Sequence, residues 1–474
     1  MGQDEASQKK LTSQQARREY MGNGPIHKVI PKMAVPTILA MLVSSIYGMA
    51  DTFFVSSLGV TATGAVGINS SLDNLIMMAG SFLAVGSNSY IARLLGAHKD
   101  KKASQTLSTA FFSALIIGAA FMILGQIFMV PLVNLLGATP DNLHYTIDYA
   151  AYVLWAAPLM AASFVMNQCL RSEGNSIYSM FGMMFGGLLN IGLDPIFIFT
   201  LHMEVKGASL ATAISKLVSF LILLMPYLRR HTVLHLSIRN VHFSRDIITE
   251  VSKMGAPSLF RTALSTFAAI LTNNIAGGIS DATLAAISVT NRIMMMPTAA
   301  LLGFGQGFQP VAGYNWGAGK YRRVLKAFRF SEIAGVSAIS IISLFGGIFA
   351  PQIITIFSSG NDEMLALGTL CLRLQFIAMP IHAWAIVVNM CYAGIGWAGG
   401  ATLLAISRQG ICFIPLVLIL PYLFGATGLA ASQAAADILS LFIALPLAVR
   451  VTRELKSKVK TEEAVVSVPS ESVQ

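Results

Sequence analysis

Asn190 and Asp194 stand four residues apart in the apolar run GGLLNIGLDPIFIF at 186–199, with Pro195 directly after the acid. Spacing of i, i+4 puts both polar side chains on one face of a helix. The proline removes an amide that would bond a carbonyl one turn back, which loosens the backbone beside the carboxylate. A carboxylate at the centre of a bilayer costs about 2.5–3.5 kcal/mol on insertion scales and is normally turned toward protein or a watery cavity. The pair is therefore a candidate cation site, either for a proton on the acid or for Na⁺ among hard oxygens. Asp51 and Thr212 join it on depth. At 1.5 Å per residue, Asp51 lies about 22 Å beyond Pro36, Asp194 about 25 Å beyond Ile177, and Thr212 about 10 Å in from Val205. These positions fall at a similar level in the outer third of a membrane. Two carboxylates at one depth repel each other, and a bound proton or Na⁺ relieves that repulsion. The structural alternative is that Asp51 caps the outer end of its helix and Asp194 satisfies a kink.

The elements that position these residues follow from composition. The chain has 474 residues, 55% hydrophobic and 11% charged, with a mean hydropathy of +0.67 and a net charge of +10. A soluble protein of this size carries about 25% charged residues, so the fold class is an all-α polytopic membrane protein. The basic balance suggests nucleic acid only until the charges are placed. Most of the 32 Lys and Arg lie in the N-terminal tail, in loops near 93–102, 229–253 and 320–329, and after Leu447, while the opposite loops hold essentially Lys206. That asymmetry predicts cytoplasmic termini, with 99–102, 229–253 and 320–323 inside and 204–206 and 360–363 outside. The first 28 residues contain no apolar run, so no cleavable signal is expected. Cys169, Cys371, Cys391 and Cys412 lie in or beside apolar segments without CxxC spacing and read as small hydrophobes.

Apolar segments long enough for a core of about 30 Å fall at 30–57, 66–93, 106–131, 147–171, 177–201, 206–228, 254–278, 284–312, 328–350, 365–391, 401–423 and 427–449. These are twelve expected spans. They divide into an N-terminal tail (1–28), a six-helix lobe (29–228), a linker (229–253), a second six-helix lobe (254–450) and a C-terminal tail (451–474). The lobes are repeats. KMAVP at 32–36 matches KMGAP at 253–257, Gly86 pairs with Gly307 and Lys99 with Lys320 at an offset of 221. One residue later in register, Pro158 pairs with Pro380, Asn167 with Asn389, Cys169 with Cys391 and Gly174 with Gly396. Six spans per repeat make both copies enter from one side, related by a pseudo-two-fold axis along the membrane normal, an arrangement found in transporters that rock two lobes.

The repeat also acts as a filter. Polar positions alike in both halves suit a scaffold, and those in one half only suit function. Asp51 faces Thr272, Asp194 faces Ile414, Asn190 faces Gly410 and Thr212 faces Gln433, so all four belong to the first half alone. Asn167 has its twin Asn389 and lies four residues before Arg171, which weakens it as a site residue.

The stretches GQGFQPVAGYNWGAGKYRRV at 305–324, RSEGN at 171–175 and LLNIGLDPIFIF at 188–199 resemble the MATE (multidrug and toxic compound extrusion) transporters, particularly their bacterial branch of Mep-type and DinF-like pumps. The resemblance covers about 30–450. It implies a secondary antiporter of the plasma (inner) membrane, acting as a monomer, that exports bulky, often cationic organic compounds in exchange for inward H⁺ or Na⁺. It implies no cofactor beyond the transported cation and assigns cation coupling to the acids at Asp51 and Asp194, with Asn167 in the same network. The chain departs from the sister branch whose coupling acids lie in helices 7 and 10, since neither segment has an acid here and segment 7 carries Arg261. A flippase for lipid-linked saccharides is the alternative, kept open by the arginines of the second half. An intramembrane enzyme would need a partner for His382, and no HExxH-type spacing supplies one.

Other intramembrane residues are candidates for a substrate cavity. Asp73, Asp437, Met294 and Met295 lead, with Met77, Met78 and Met296 as further pliable wall. Lys216 and Asp437 are repeat-equivalent, so a structural role competes for both. Arg292, Arg373 and Arg408 suit carbonyl partners or snorkelling to the surface.

Overall fold

A computed structural model describes residues 14–358 and 361–466. Parts of the two expected tails, 1–13 and 467–474, and Gly360 of the expected outer loop lie outside the described residues. Among the described residues the chain is helical, without strands. A first helix, α1, covers 14–23. It is followed by α2 (Ile26–Ser56), α3 (Val60–Gly96), α4 (Asp100–Ile127), α5 (Met129–Leu135), α6 (Leu143–Ser172), α7 (Ser176–Pro195) and α8 (Glu204–Leu228). The second half runs through α9 (Arg245–Ile279), α10 (Asp281–Gly317), α11 (Tyr321–Ile348), α12 (Ala350–Ser358), α13 (Asp362–Ile395), α14 (Ala398–Ile406) and α15 (Ile414–Val466).

Ten helices are long and apolar enough to cross a membrane, the last of them Ala398–Glu463. That last one turns at Gly425, whose φ of 58° suits glycine, so it is two spans. With α9 as segment 7, the described residues hold the twelve spans expected from hydropathy. The short α5 and α12 follow segments 3 and 9 in each half and begin 221 residues apart, at Met129 and Ala350, as the repeat requires.

Contacts divide the chain into two units. One holds the described residues up to Asn23 and Val35–Gly255; the other holds Gly24–Ala34 and the described residues from Ala256 on. In the first unit, Val55, Leu72, Ile76, Val153 and Leu154 belong to one buried apolar cluster. In the second, Ile287, Met364, Leu367, Val417 and Leu429 do the same. Inside a bilayer, helices gain little from hiding apolar surface, and small residues that allow close approach hold them instead. A Cβ at Gly118 would overlap Pro158, one at Gly182 would overlap Leu223, and one at Gly186 would overlap Ser219 Oγ. Repeat-equivalent Gly174 and Gly396 each follow a helix with φ of 80° and 88°, so the RSEGN turn and its twin close α6 and α13 alike.

The linker expected over 229–253 is helical from Arg245 onward. RDIITEVSK contains no helix breaker, Asp246 sits in the first turn where it favours the helix dipole, and the Ser244 hydroxyl accepts from Ile247 N at 3.3 Å. The remainder, 229–244, is strapped to the first unit. Ser104 and Ser108, one turn apart on α4, accept from His235 N (3.1 Å) and Ser237 N (3.2 Å), and Thr109 accepts from His242 N (3.0 Å). Glu173, in the turn after α6, accepts from Val233 N at 2.6 Å and Leu234 N at 3.4 Å. Further ties at this end are Arg93–Glu250 (2.8 Å), Lys102–Asp246 (3.0 Å) and Arg18–Asp100 (2.7 Å).

Glu173 is the buried member of this set, 4% exposed, and lies just beyond its span. Burial pushes its carboxyl up to about 8, against the Val233 and Leu234 amides and the Arg17 and Arg18 charges. A folded-state pKa above the ordinary 4.5 means the group's contribution to stability is complete at low pH and is lost as pH rises through the folded value. Glu173→Gln, which keeps an acceptor for the two amides, is expected to remove the part of the stability loss that wild type shows on going from about pH 5 to pH 9. Glu173→Ala is expected to cost about 2 kcal/mol by leaving both amides unpaired. Thermal unfolding in detergent across that pH range checks both.

Candidate functional site

Helix α7 ends at Pro195, and the chain continues as a π-helical turn over Ile196–Thr200. The proline's missing amide and this widened turn fall directly after Asp194, as the sequence spacing predicts. Asp194 is 0% exposed and Asn190 1%, and Asn190 reaches Thr212 of α8. The Asn190 amide takes the orientation that satisfies both of its ends. Its Nδ2 donates to Asp194 Oδ2 at 3.2 Å, and its oxygen accepts from Thr212 Oγ1 at 3.1 Å and Thr212 N at 3.3 Å. Helices α7 and α8 can approach closely enough for this because glycines 182 and 186 present no side chain, and Ser219 Oγ donates to the Gly182 carbonyl at 2.7 Å.

Asp51 is delivered by α2 and is also buried. Tyr149 of α6 donates to Asp51 Oδ2 at 3.2 Å, while Asp51 Oδ1 has no partner among the described residues. Asp51 and Asp194 are near enough for one charge to act on the other. The structure therefore brings Asp51, Asn190, Asp194 and Thr212 together within the first unit. Asp73 of α3 joins them electrically, and its Oδ1 is likewise without a partner.

Asn167 sits differently. Its Nδ2 donates to the Ser179 carbonyl at 3.0 Å, and its Oδ1 accepts from Arg171. The twin Asn389 donates to the Ala401 carbonyl at 2.8 Å, a bond over the same twelve residues. Each asparagine thus ties its own helix to the start of the next. Asn167 nevertheless lines a cavity together with Tyr47, Asn190, Thr212 and Lys216, though the acids themselves do not line it. That cavity is about 120 Å³. It has room for about four waters at roughly 30 Å³ each, whereas pockets for organic ligands run to about 300–1,000 Å³. Its scale matches water and a small cation.

The second unit has the opposite arrangement. A π-helical stretch, Ser407–Phe413, precedes Pro415, the repeat partner of Pro195, and carries Arg408. Arg408 Nε donates to Asp437 Oδ1 at 2.6 Å and Arg408 Nη2 to Oδ2 at 3.3 Å, with Gln433 adding a bond at 3.3 Å. Asp437 is thus held in a two-pronged ion pair. Met294 is buried in the second unit and Met295 is half exposed.

Tyr149 and Tyr47 are site residues that the sequence reading passes over. Under the repeat, Tyr47 faces Ala268 and Tyr149 faces Cys371, so the half-specific filter does mark them once tyrosine is counted as polar. Glu332 of α11, which accepts from Trp384 Nε1 at 2.8 Å, was hidden by its place near the polar start of segment 9.

The family model MatE matches residues 36–196 and 257–419, one stretch in each half. The multidrug export protein MepA of Staphylococcus haemolyticus is 27% identical over 448 residues, covering 94% of this chain and 98% of that protein. Two solved structures show the same fold. A MATE in complex with MaL6 superimposes with a TM-score of 0.88 at 24% identity, over 92% of this chain and 99% of the other. An outward-facing multidrug resistance MATE family transporter of the MOP superfamily gives 0.87 at 25% identity, over 92% and 98%.

The α7–α8 contact generates a packing prediction. Gly186→Val would drive side-chain atoms into Ser219 and is expected to cost about 1–3 kcal/mol. Gly192→Ala, where nothing lies within 4 Å, is expected to be neutral or slightly stabilising. Thermal unfolding of the two purified variants beside wild type reads the difference.

Proposed function

This chain belongs to the MatE family, and on that footing we propose that it is a secondary active multidrug efflux antiporter. It exports bulky, often cationic organic compounds in exchange for inward H⁺ or Na⁺, by alternating access of two lobes. It is a transporter, not an enzyme, and works as a monomer in the plasma (inner) membrane with both termini in the cytoplasm. The distribution of Lys and Arg supports that orientation. The similarity to a staphylococcal multidrug export protein supports export of multiple drugs.

One observation carries the reading of coupling. A buried carboxylate, Asp194, is bonded by Asn190, which Thr212 fixes in turn; Asn190 and Thr212 line a small cavity, and the Asp51 charge acts on Asp194. In the cation-free state the Asn190 N–H is the partner of the Asp194 carboxylate. A proton on Asp194 removes the need for that donor. Na⁺ instead recruits the carboxylate, the Thr212 hydroxyl and, after the amide turns, the Asn190 oxygen. Either cation changes how α7 is held to α8, and the π-helical turn after Pro195 lets the end of α7 move in response. The flippase alternative loses support because Arg408, one of the arginines that kept it open, is neutralised by Asp437 within its own unit.

Asp194→Asn keeps the size and hydrogen-bonding ability of the side chain but cannot titrate. Gradient-driven efflux per folded molecule is expected to fall by about tenfold or more, with expression and thermal stability retained. Thr272→Ala is the control: Thr272 is the repeat partner of Asp51 and, among the described residues, bonds its own helix at the Ala268 carbonyl (2.7 Å). It is expected to leave efflux nearly intact. Dye efflux from proteoliposomes under an imposed pH gradient, then an imposed Na⁺ gradient, measures both. Normal efflux from Asp194→Asn overturns the assignment.

A further inference from the structure

Lys216 lies on α8 one turn after Thr212, so both side chains share a face. Its ammonium donates to the Tyr47 hydroxyl at 3.1 Å and lies 4.9 Å from the centre of that ring. Among the described residues it forms no ion pair within 4.0 Å. Its charge nevertheless acts on Asp51 of α2 and Asp73 of α3. Among the described residues, each of those carboxylates has a buried oxygen without a partner. An ammonium has three donors, and Tyr47 takes one. Lys216 and Tyr47 both line the 120 Å³ cavity that Asn190 and Thr212 also line. Lys216 therefore has donors to spare on the cavity wall, and Asp51 and Asp73, which lie outside that lining, have acceptor oxygens to spare. The charges acting on Lys216 are the carboxylates of Asp51 and Asp73, and Asp51 in turn acts on Asp194; Tyr47 and Tyr149 supply hydroxyls, to Lys216 and to Asp51.

The repeat partner of Lys216 sharpens the contrast. Asp437 occupies the same place in the second unit and is locked to Arg408 by two bonds. Among the described residues, Lys216 is held by the Tyr47 hydroxyl and the face of its ring, on a stem of four flexible carbons. A charge in a membrane span that is held so lightly is free to change partners at small cost.

We propose that Lys216 is a tethered cation of the coupling site: its ammonium swings from Tyr47 to the Asp51 and Asp73 carboxylates when no transported cation is present, and Na⁺ has to displace it to bind. The lysine makes the site discriminate against Na⁺. A proton neutralises one carboxylate without needing the space or the oxygen ligands that the ammonium occupies, so the exchange runs on H⁺. This inference rests on the reading of Asp51 and Asp194 as the coupling site.

The test is direct ²²Na⁺ binding to purified full-length protein in detergent, at fixed pH, for wild type, Lys216→Met, Lys216→Gln, Lys216→Arg and Asp194→Asn combined with Lys216→Met. Lys216→Met and Lys216→Gln are expected to bind Na⁺ about tenfold or more tightly than wild type, while Lys216→Arg, which keeps the charge, stays close to wild type. Either neutral variant suffices if the other fails to fold. A merely structural lysine predicts no gain in Na⁺ affinity from any substitution, and an unchanged or weaker affinity in both neutral variants overturns the proposal. Asp194→Asn separates the two levels. If it abolishes the Na⁺ binding of Lys216→Met, the coupling site stands whatever Lys216 does. If Na⁺ binding survives Asp194→Asn, the coupling site itself is wrongly placed.

Discussion

Asp194 is wholly buried inside a membrane-spanning helix, in surroundings where an unsatisfied carboxylate costs several kcal/mol. Everything around it meets that cost. Asn190 sits one turn back on the same helix and supplies a donor, and Thr212 on the next helix fixes the amide's other end. The bond to Thr212 requires α7 and α8 to lie close together, which glycines 182 and 186 permit and the Ser219 hydroxyl reinforces. Pro195 and the π-helical turn then release the backbone beyond the acid. A site held this tightly on one side and loosely on the other is suited to convert the arrival of a cation into a shift of one helix end.

The two halves share a plan and differ in polarity. In both, the fifth helix of the repeat carries a π-helical stretch beside a proline, and the sixth carries a charge at the same register. The first half sets several carboxylates against one lysine that is paired with a hydroxyl. The second sets an arginine against one aspartate in a closed ion pair. Breaking a buried pair by removing one partner leaves an uncompensated charge, which costs about 3–5 kcal/mol, so the second arrangement resists change. The first has open valences and a cavity. That difference is why the chemistry falls to the first half although the scaffold is duplicated.

Much of this was legible in the sequence because membrane folding leaves strong marks. Twelve apolar runs, the clustering of Lys and Arg and the 221-residue repeat follow from constraints that act on every residue of a span. Asn190 and Asp194 stood out because their spacing is helical and their polarity is expensive. Tyr149 and Tyr47 did not, since a tyrosine in an apolar run reads as bulk until its hydroxyl finds a partner. Asn167 shows the converse. Its polarity marks it, but its bond to Ser179 and the matching bond of Asn389 to Ala401 are scaffold contacts that only the folded chain reveals. The strapping of 229–244 onto α4 was likewise illegible, because hydroxyls that accept backbone amides carry no pattern of their own.

The central claim is that Asp51 and Asp194 act as one cation-binding unit. The most direct measurement is a double-mutant cycle on gradient-driven efflux, normalised to folded protein, using Asp51→Asn, Asp194→Asn and the pair combined. Members of one functional unit are non-additive, so the double variant is expected to transport no worse than either single variant. Losses that multiply, with the double variant falling below both by the product of the single effects, would contradict the account and place the two acids in separate roles.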